Sequence, residues 1–453
     1  MTGKWFINGR RYRNEKLLML VLALLAMVSL AAAEEPTLWP ACDGETGLWG
    51  YIDETGAWAI APQYKQAYHF SGGCAIVGMG EEPYSHPPRE GIIDTTGAFL
   101  LPPEYFVHDD FAEDVFFVMD TSGDEAMMGW FYIPDRFFTG IHWNECVAYS
   151  DGPYVCVDDW EVQGLADRAT GEIVLPLEYT RTGLYENTAE GGFIVAERDD
   201  TGECELIEIG VGTVELPEGA VIDYGEGVSE GLIPFEMDGK CGYLNTAGEI
   251  VIPAQYRYAI GFNDGYAEVG LWEAEDTAAI IDRGGNVVMT IIGDRWETGY
   301  YGMVGDAMWI GYSDDEWGLV RPDGTELCRF SEPESWLVWL YAPTEDGPIW
   351  VSEELGDGDY AWRLLSREDW TLSEPIGRDC LVEGAPSDPH PVEVAPGLWR
   401  YVDAYGETVI GDVTCIYALP FEGALARVCF DEDSEGYINR AGQTVAAWTA
   451  SED

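Results

Sequence analysis

The chain is poor in positive charge: 23 Lys and Arg stand against 83 Asp and Glu in 453 residues, a net charge of −60. A field of that sign repels phosphate backbones and anionic lipid surfaces, which argues against nucleic acid as a partner. Histidine is scarce, and its five copies (His69, His86, His108, His142, His390) stand beside no Ser or Cys of a nucleophile motif. There is no Cys-x-x-Cys pair, no Cys/His cluster at zinc spacing and no phosphate-cradling glycine loop. Acids this abundant supply a carboxylate pair at any separation, so they do not point to a glycosidase. A helical period of useful length is also missing beyond the first 33 residues.

Those first residues differ from the rest. Lys4, Arg10, Arg11, Arg13 and Lys16 precede an apolar run from Leu17 to Leu30, and Ala31-Ala32-Ala33 follows. The run is short of the roughly 20 residues that span a bilayer, and the order of basic, apolar and small residues reads as a signal peptide cleaved before Glu34. Its removal moves the net charge to about −64 and leaves no stable membrane span. The expected location is outside the cell, or the periplasm of a cell with two membranes. The expected organisation is a signal peptide over 1–33, a lead-in over 34–46, and a repeat array over 47–453 with an irregular section at 331–396. The acids are spread along a chain that is 47% hydrophobic and 13% aromatic, a composition that folds rather than stays disordered.

Ten cysteines in an exported chain allow disulfides. Cys146–Cys156 and Cys415–Cys429 are the pairs a hairpin would bring together. Cys74 and Cys429 lie in apolar, strand-like runs and Cys241 stands where another copy has Trp49, so a buried thiol explains these sites equally well.

Self-similarity decides the fold class. Trp49-Gly50-Tyr51-Ile52-Asp53-Glu54-Thr55-Gly56 recurs in the segments ending at Gly97, Gly248, Gly285, Gly324, Gly406 and Gly442, and with one extra residue in the segment ending at Gly171. Gly56 and Gly442 are 386 residues apart, so ten intervals give a period of 38.6. Three double-length gaps each hide a degraded unit, near Ile133-Pro134-Asp135, Glu208-Ile209-Gly210 and Leu365-Ser366-Arg367. Asp or Asn opens six of the seven turns of standard length and Gly closes all seven. That pattern is hairpin-turn chemistry: an Asx side chain accepts from backbone N–H groups ahead of it, and Gly takes φ > 0. Downstream, Pro62-Gln63-Tyr64, Pro103-Glu104-Tyr105, Pro176-Leu177-Glu178-Tyr179 and Pro253-Ala254-Gln255-Tyr256 mark where the second strand is expected to leave the sheet. A further strand follows a Phe/Gly signal, as at Phe70-Ser71-Gly72-Gly73-Cys74 and Phe262-Asn263-Asp264-Gly265-Tyr266.

The combination of Trp-Gly-Tyr-Ile-Asp-x-x-Gly, a Val-Ile-Pro-like strand, Gln-Tyr and Phe-x-x-Gly-x-Ala-x-Val resembles the WG repeat, from about Gly47 to Val445. The resemblance implies a β-rich repeat scaffold and brings no catalytic residues. The expected fold is all-β, about eleven units of three to four strands. An open superhelical array is preferred, because eleven units exceed the four to eight blades of an ordinary ring and the register shows no linker; a propeller-like ring or two rings is the alternative.

Recurring tryptophans fall at core positions of the repeat. Trp336, Trp339, Tyr341 and Trp350 depart from it and are the candidate ligand-binding residues. Asp357-Gly358-Asp359 and the Asp-x-x-Gly turns resemble fragments of calcium loops without the alternating acids and distal Glu of a dedicated site, so weak, diffuse calcium binding is the only cofactor expectation. The expected function is an exported binding scaffold for a protein or glycan, with no catalysis; the competing class is an exported carbohydrate-active hydrolase.

Overall fold

A computed structural model describes residues 37–80, 90–108, 114–123, 126–147, 152–159, 162–182, 192–222, 227–272, 277–292, 299–313, 316–331, 340–342, 344, 347–356, 359–379 and 389–449. The leader and the proposed cleavage site lie outside them. Among the described residues every regular element is a β-strand and every pairing is antiparallel, in eight sheets. Five sheets carry one unit each, while three are seven-stranded and carry two units each, so eleven units are present. The long strands Phe99–His108 and Ile173–Thr182 make two of these joins, pairing with their own unit through the first half and with the next through the second.

The turns form as their residues dictate. Asp53 Oδ1 accepts from the N–H groups of Thr55 (2.8 Å) and Ala57 (3.1 Å), and the Gly56 N–H donates to the Asp53 carbonyl. Asp94, Asn245, Asp282, Asp403 and Asn439 repeat the same i+2 and i+4 acceptance. Where Arg321 opens the turn, Asp323 supplies the acceptor, taking the Thr325 N–H at 2.9 Å. The closing glycines hold φ between +73° and +84°, a region that costs an L side chain. The three hidden units are present too. Two of their turns close at Arg136 and Trp370, which take φ of 50° and 56° in glycine's place, and the third closes at Val211 with Gly210 at positive φ before it.

The prolines do not end their strands. Trp58–Tyr64 runs on through Pro62, with Trp49 opposite Tyr64 and Tyr51 opposite Ile60, so three residues bulge across from Gly50. Gly91, Gly164 and Gly242 face the same three-residue bulge. The bulge is why the namesake position is glycine: a Cβ on Gly50 would sit 2.5 Å from the Ile60 carbonyl oxygen, and one on Gly242 2.5 Å from that of Ile252. Where the bulge shrinks to Gly411 and Asp412, Arg400 replaces the glycine and its Nε donates to Asp412 at 2.7 Å.

The residue after that glycine points between units. Tyr51, Tyr243 and Tyr401 are buried, and their hydroxyls donate to the carbonyls of Tyr68 (2.9 Å), Ile260 (2.7 Å) and Leu419 (2.9 Å), each 17 or 18 residues on. Each unit buries one sheet face against the unit before it and the other against the unit after. One seam joins Tyr51, Ile60 and Tyr64 to Ala75, Val77 and Ile93; another joins Trp399, Tyr401 and Ile410 to Ala418, Val428 and Ile438.

The last seam returns to the first unit. Trp39, Ala41, Cys42 and Ile52 share a buried cluster with Leu425, Tyr437 and Trp448. The matching hydroxyl of unit 11, that of Tyr437, donates to the Pro40 carbonyl of unit 1 at 3.0 Å. Trp39 Nε1 donates to the Glu422 carbonyl at 3.0 Å. The all-β repeat class stands, and of its two arrangements the contacts make the ring: the preferred open array, in which first and last units stay apart, is corrected. The stretch read as a lead-in takes part, since Trp39–Asp43 is the first strand of unit 1 and pairs with Leu48–Ile52.

Candidate binding surface

Most polar groups that recur are spent on the fold. The Asx side chains hold turns and the tyrosine hydroxyls hold seams. Two buried carboxylates do likewise: Glu90 accepts from the Val107 N–H at 2.9 Å, and burial raises its pKa. Glu268 accepts from the Tyr258 hydroxyl at 2.7 Å and the Tyr300 N–H at 3.2 Å. The buried Arg168 guanidinium pairs with Asp114 at 2.7 Å, and its carbonyl accepts from Trp130 Nε1.

The thiols are packing groups. Burial pushes Cys415 up to about 12, helped by Cys429 and Glu393, and pushes Cys328 up to about 11, which suppresses the thiolate a nucleophile needs. Cys146 lies opposite Val157 and Cys156 opposite Val147. Side chains alternate along a strand, so the two cysteines point to opposite faces, Cys146 into the seam with unit 3 and Cys156 into the seam with unit 5. This register does not permit a bridge between them. Cys429 lies opposite Tyr417 and Cys415 is buried in the seam of units 10 and 11, both as thiols. No group of His, Cys, Asp and Glu able to hold a metal ion occurs among the described residues.

Of the four candidate ligand residues, Trp336 and Trp339 lie outside the described residues. Tyr341 and Trp350 are brought together as a cross-strand pair, but as packing. Trp350 is fully buried in the seam between units 9 and 10, edge-on to Trp362 and His390, with Nε1 donating to the Ala404 carbonyl at 2.9 Å. The Tyr341 ring meets Trp362 edge-on at 5.8 Å and is half-buried. Trp350 therefore offers no face to a ligand in this arrangement.

The surface has a pattern that sequence reading did not single out. The last strand of a unit begins with a large, exposed apolar side chain in six of the first seven units: Trp58, Phe99, Phe137, Ile173, Ile250 and Val287, each 40% to 55% exposed. In units 8, 10 and 11 the same place holds Glu326, Thr408 and Thr444. The row thus occupies one arc of the ring. The available signal was a large apolar residue directly after the turn, at a position the strand alternation turns outward.

The family described as "WG containing repeat" matches residues 49–81 and 242–270. These two segments are similar to WG repeats. The first runs from unit 1 into unit 2 and the second from unit 6 into unit 7, and they include the bulge-facing glycines Gly50 and Gly242. No curated protein sequence matches the chain. Solved structures similar to it include a crystal structure of the eukaryotic initiation factor (9% identity, 77% of this chain and 96% of that one, TM-score 0.42). Others are the computationally designed Ika8 protein (14%, 68% and 93%, TM-score 0.33) and BamB from Moraxella catarrhalis (15%, 67% and 96%, TM-score 0.34). No helix among the described residues is long and apolar enough to cross a membrane.

Proposed function

We propose that the chain is an exported scaffold that binds a protein or glycan outside the cytoplasm and performs no catalysis of its own. The observation that carries this reading is the row of exposed apolar side chains at one repeat position over six of the first seven units, on a body whose recurring polar groups are committed to turns and seams. An apolar residue on the water side of a strand gains nothing from the core, and contiguous exposed apolar surface is characteristic of interaction sites. Export rests on the leader over 1–33 and is tested by sequencing the N-terminus of the secreted protein, which should begin at or near Glu34; the full chain embedded in a membrane would refute it. Binding is tested with residues 34–453 as bait on native cell-surface extract. A specific partner should be retained by the parent chain and lost by the triple variant Trp58→Thr, Phe99→Thr, Ile173→Thr, whose melting temperature should stay near the parent's. Retention unchanged by the triple variant would move the site off this row.

A further inference from the structure

Strands at the end of a sheet leave one side of their backbone unpaired, and proteins ordinarily protect such edges with proline, charge or bulges. Most outer edges of this ring are protected. Trp58–Tyr64 and Ile250–Tyr256 carry Pro62 and Pro253 within their bulges. Glu326–Ser331 carries Glu326 and Arg329, the latter paired to Glu316 at 2.8 Å. Thr408–Thr414 is bulged at Gly411 and Asp412. Thr444–Thr449 has no proline or charge either, but the side chains it exposes, Thr444, Ala447 and Thr449, are small or polar.

Val287–Ile292 in unit 7 is different. Its sequence, Val-Val-Met-Thr-Ile-Ile, has no proline, glycine or charge, and beyond one bulge at Val288 beside the turn its pairing is regular from Ile280 opposite Met289 to Thr277 opposite Ile292. It ends a three-stranded sheet, with no described strand on its outer side. Its outward side chains are apolar at both ends, with Val287 55% and Ile292 79% exposed. Trp272, 54% exposed, lies at the same end of the sheet as Ile292, because Thr277 pairs with Ile292 and its carbonyl accepts from Leu271.

We infer that Val287–Ile292 is a docking edge that accepts an extended, cationic segment of another protein as the fourth strand of unit 7. Main-chain hydrogen bonds along the open edge supply the pairing, and side-chain contacts with Val287, Ile292 and Trp272 select apolar residues at alternate positions. Charge decides the occupant. A second copy of this chain would bring a further net −60 to the edge and be repelled, whereas a segment flanked by Lys or Arg is drawn in. The inference rests on the scaffold reading and narrows it to one edge and one class of partner.

The probe is a short peptide alternating valine and threonine between paired lysines, measured by fluorescence anisotropy against the 34–453 chain. It should bind, and rising salt should weaken it. The same peptide N-methylated at alternate residues, which cannot pair as a strand, should bind about tenfold more weakly or worse. The double variant Val287→Lys, Ile292→Lys should lose affinity similarly while keeping the parent melting temperature, because both side chains are exposed; Thr290→Pro is the independent check, scored only on its soluble, folded fraction. Equal binding by the methylated peptide, by a glutamate-flanked peptide or by the double variant would overturn the inference. So would sedimentation of the parent as a dimer that the double variant abolishes, which would make the occupant a second copy. A chain that still captures its cell-surface partner but not this peptide would overturn the docking edge and leave the scaffold reading standing.

Discussion

Closure of the ring makes the seam between the last and first units as costly to disrupt as any interior seam, and Trp448 is the residue on which to measure it. Its ring is 6% exposed and packs with Trp39, Ile52, Leu425 and Tyr437. Truncating such a side chain costs about 3–5 kcal/mol, so Trp448→Ala should destabilise as strongly as Trp399→Ala in the seam of units 10 and 11. An open array would instead leave Trp448 on a terminal face, where surface substitutions fall within about 0.5 kcal/mol. The sharper measurement is coupling. Trp49 and Trp448 meet edge-on with centroids 6.0 Å apart, and aromatic pairs contribute about 0.5–1.5 kcal/mol beyond their buried area. A double-mutant cycle of Trp49→Ala and Trp448→Ala, read from urea unfolding followed by far-UV circular dichroism, should return a coupling in that range. Tyr437→Phe removes the donor to Pro40 and should cost about 1 kcal/mol, matching Tyr243→Phe, whose acceptor is the Ile260 carbonyl. Native-state hydrogen exchange should protect Trp39–Asp43 and Thr444–Thr449 as strongly as interior strands. A coupling below about 0.3 kcal/mol, with fast exchange in both strands, would refute closure.

Gly50→Ala and Gly242→Ala should each cost about 3 kcal/mol or more, because the new methyl would lie 2.5 Å from a bulge carbonyl. Gly47→Ala, at φ +67° in open space, should cost only the left-handed penalty of about 1–2 kcal/mol; thermal melts of the three variants compare them. Asp53 is held below the ordinary carboxylate range by its hydrogen bonds to the Thr55 hydroxyl and N–H, and Asp282 by those to the Asn286 side chain and N–H. Their folded pKa values lie below the unfolded ones, so this contribution is complete at neutral pH and is lost as pH falls through the folded values. Asp53→Asn should keep the turn, as Asn245 and Asn439 do, and should lose less melting temperature than the parent between about pH 5 and pH 2; an unchanged acid limb would contradict this. Self-repulsion from a net charge of −60 should raise the melting temperature in moderate salt or millimolar calcium over that in dilute buffer, and indifference to both would show that the acids are compensated within the fold.

What the sequence determined by itself is what depends on a few neighbouring residues. The turn from Asp53 to Gly56 closes through an Asx side chain, a backbone pair and one glycine, all within five positions, so its copies could be counted and the degraded ones located from spacing. The hidden turns near Ile133, Glu208 and Leu365 appear where that spacing requires them, even with Arg136 and Trp370 in glycine's place. Other features needed the tertiary structure. Gly50 could be recognised as part of a motif, but its reason is a backbone bulge at Ala61–Gln63 on the facing strand. The proline there looked like a strand end because proline lacks a donor, and a bulge accommodates that lack without ending the pairing. The Cys146 and Cys156 thiols look close in sequence, yet a one-residue offset in register places them in different seams. Trp350, one of the two described candidates for a ligand surface, became a core residue because unit 10 supplies Val392, Val402 and the Ala404 carbonyl against it. Closure is the plainest case. Each seam sets only a small rotation between neighbouring units, no residue encodes the sum, and only when the rotations accumulate over eleven units does Tyr437 of unit 11 meet the Pro40 carbonyl of unit 1.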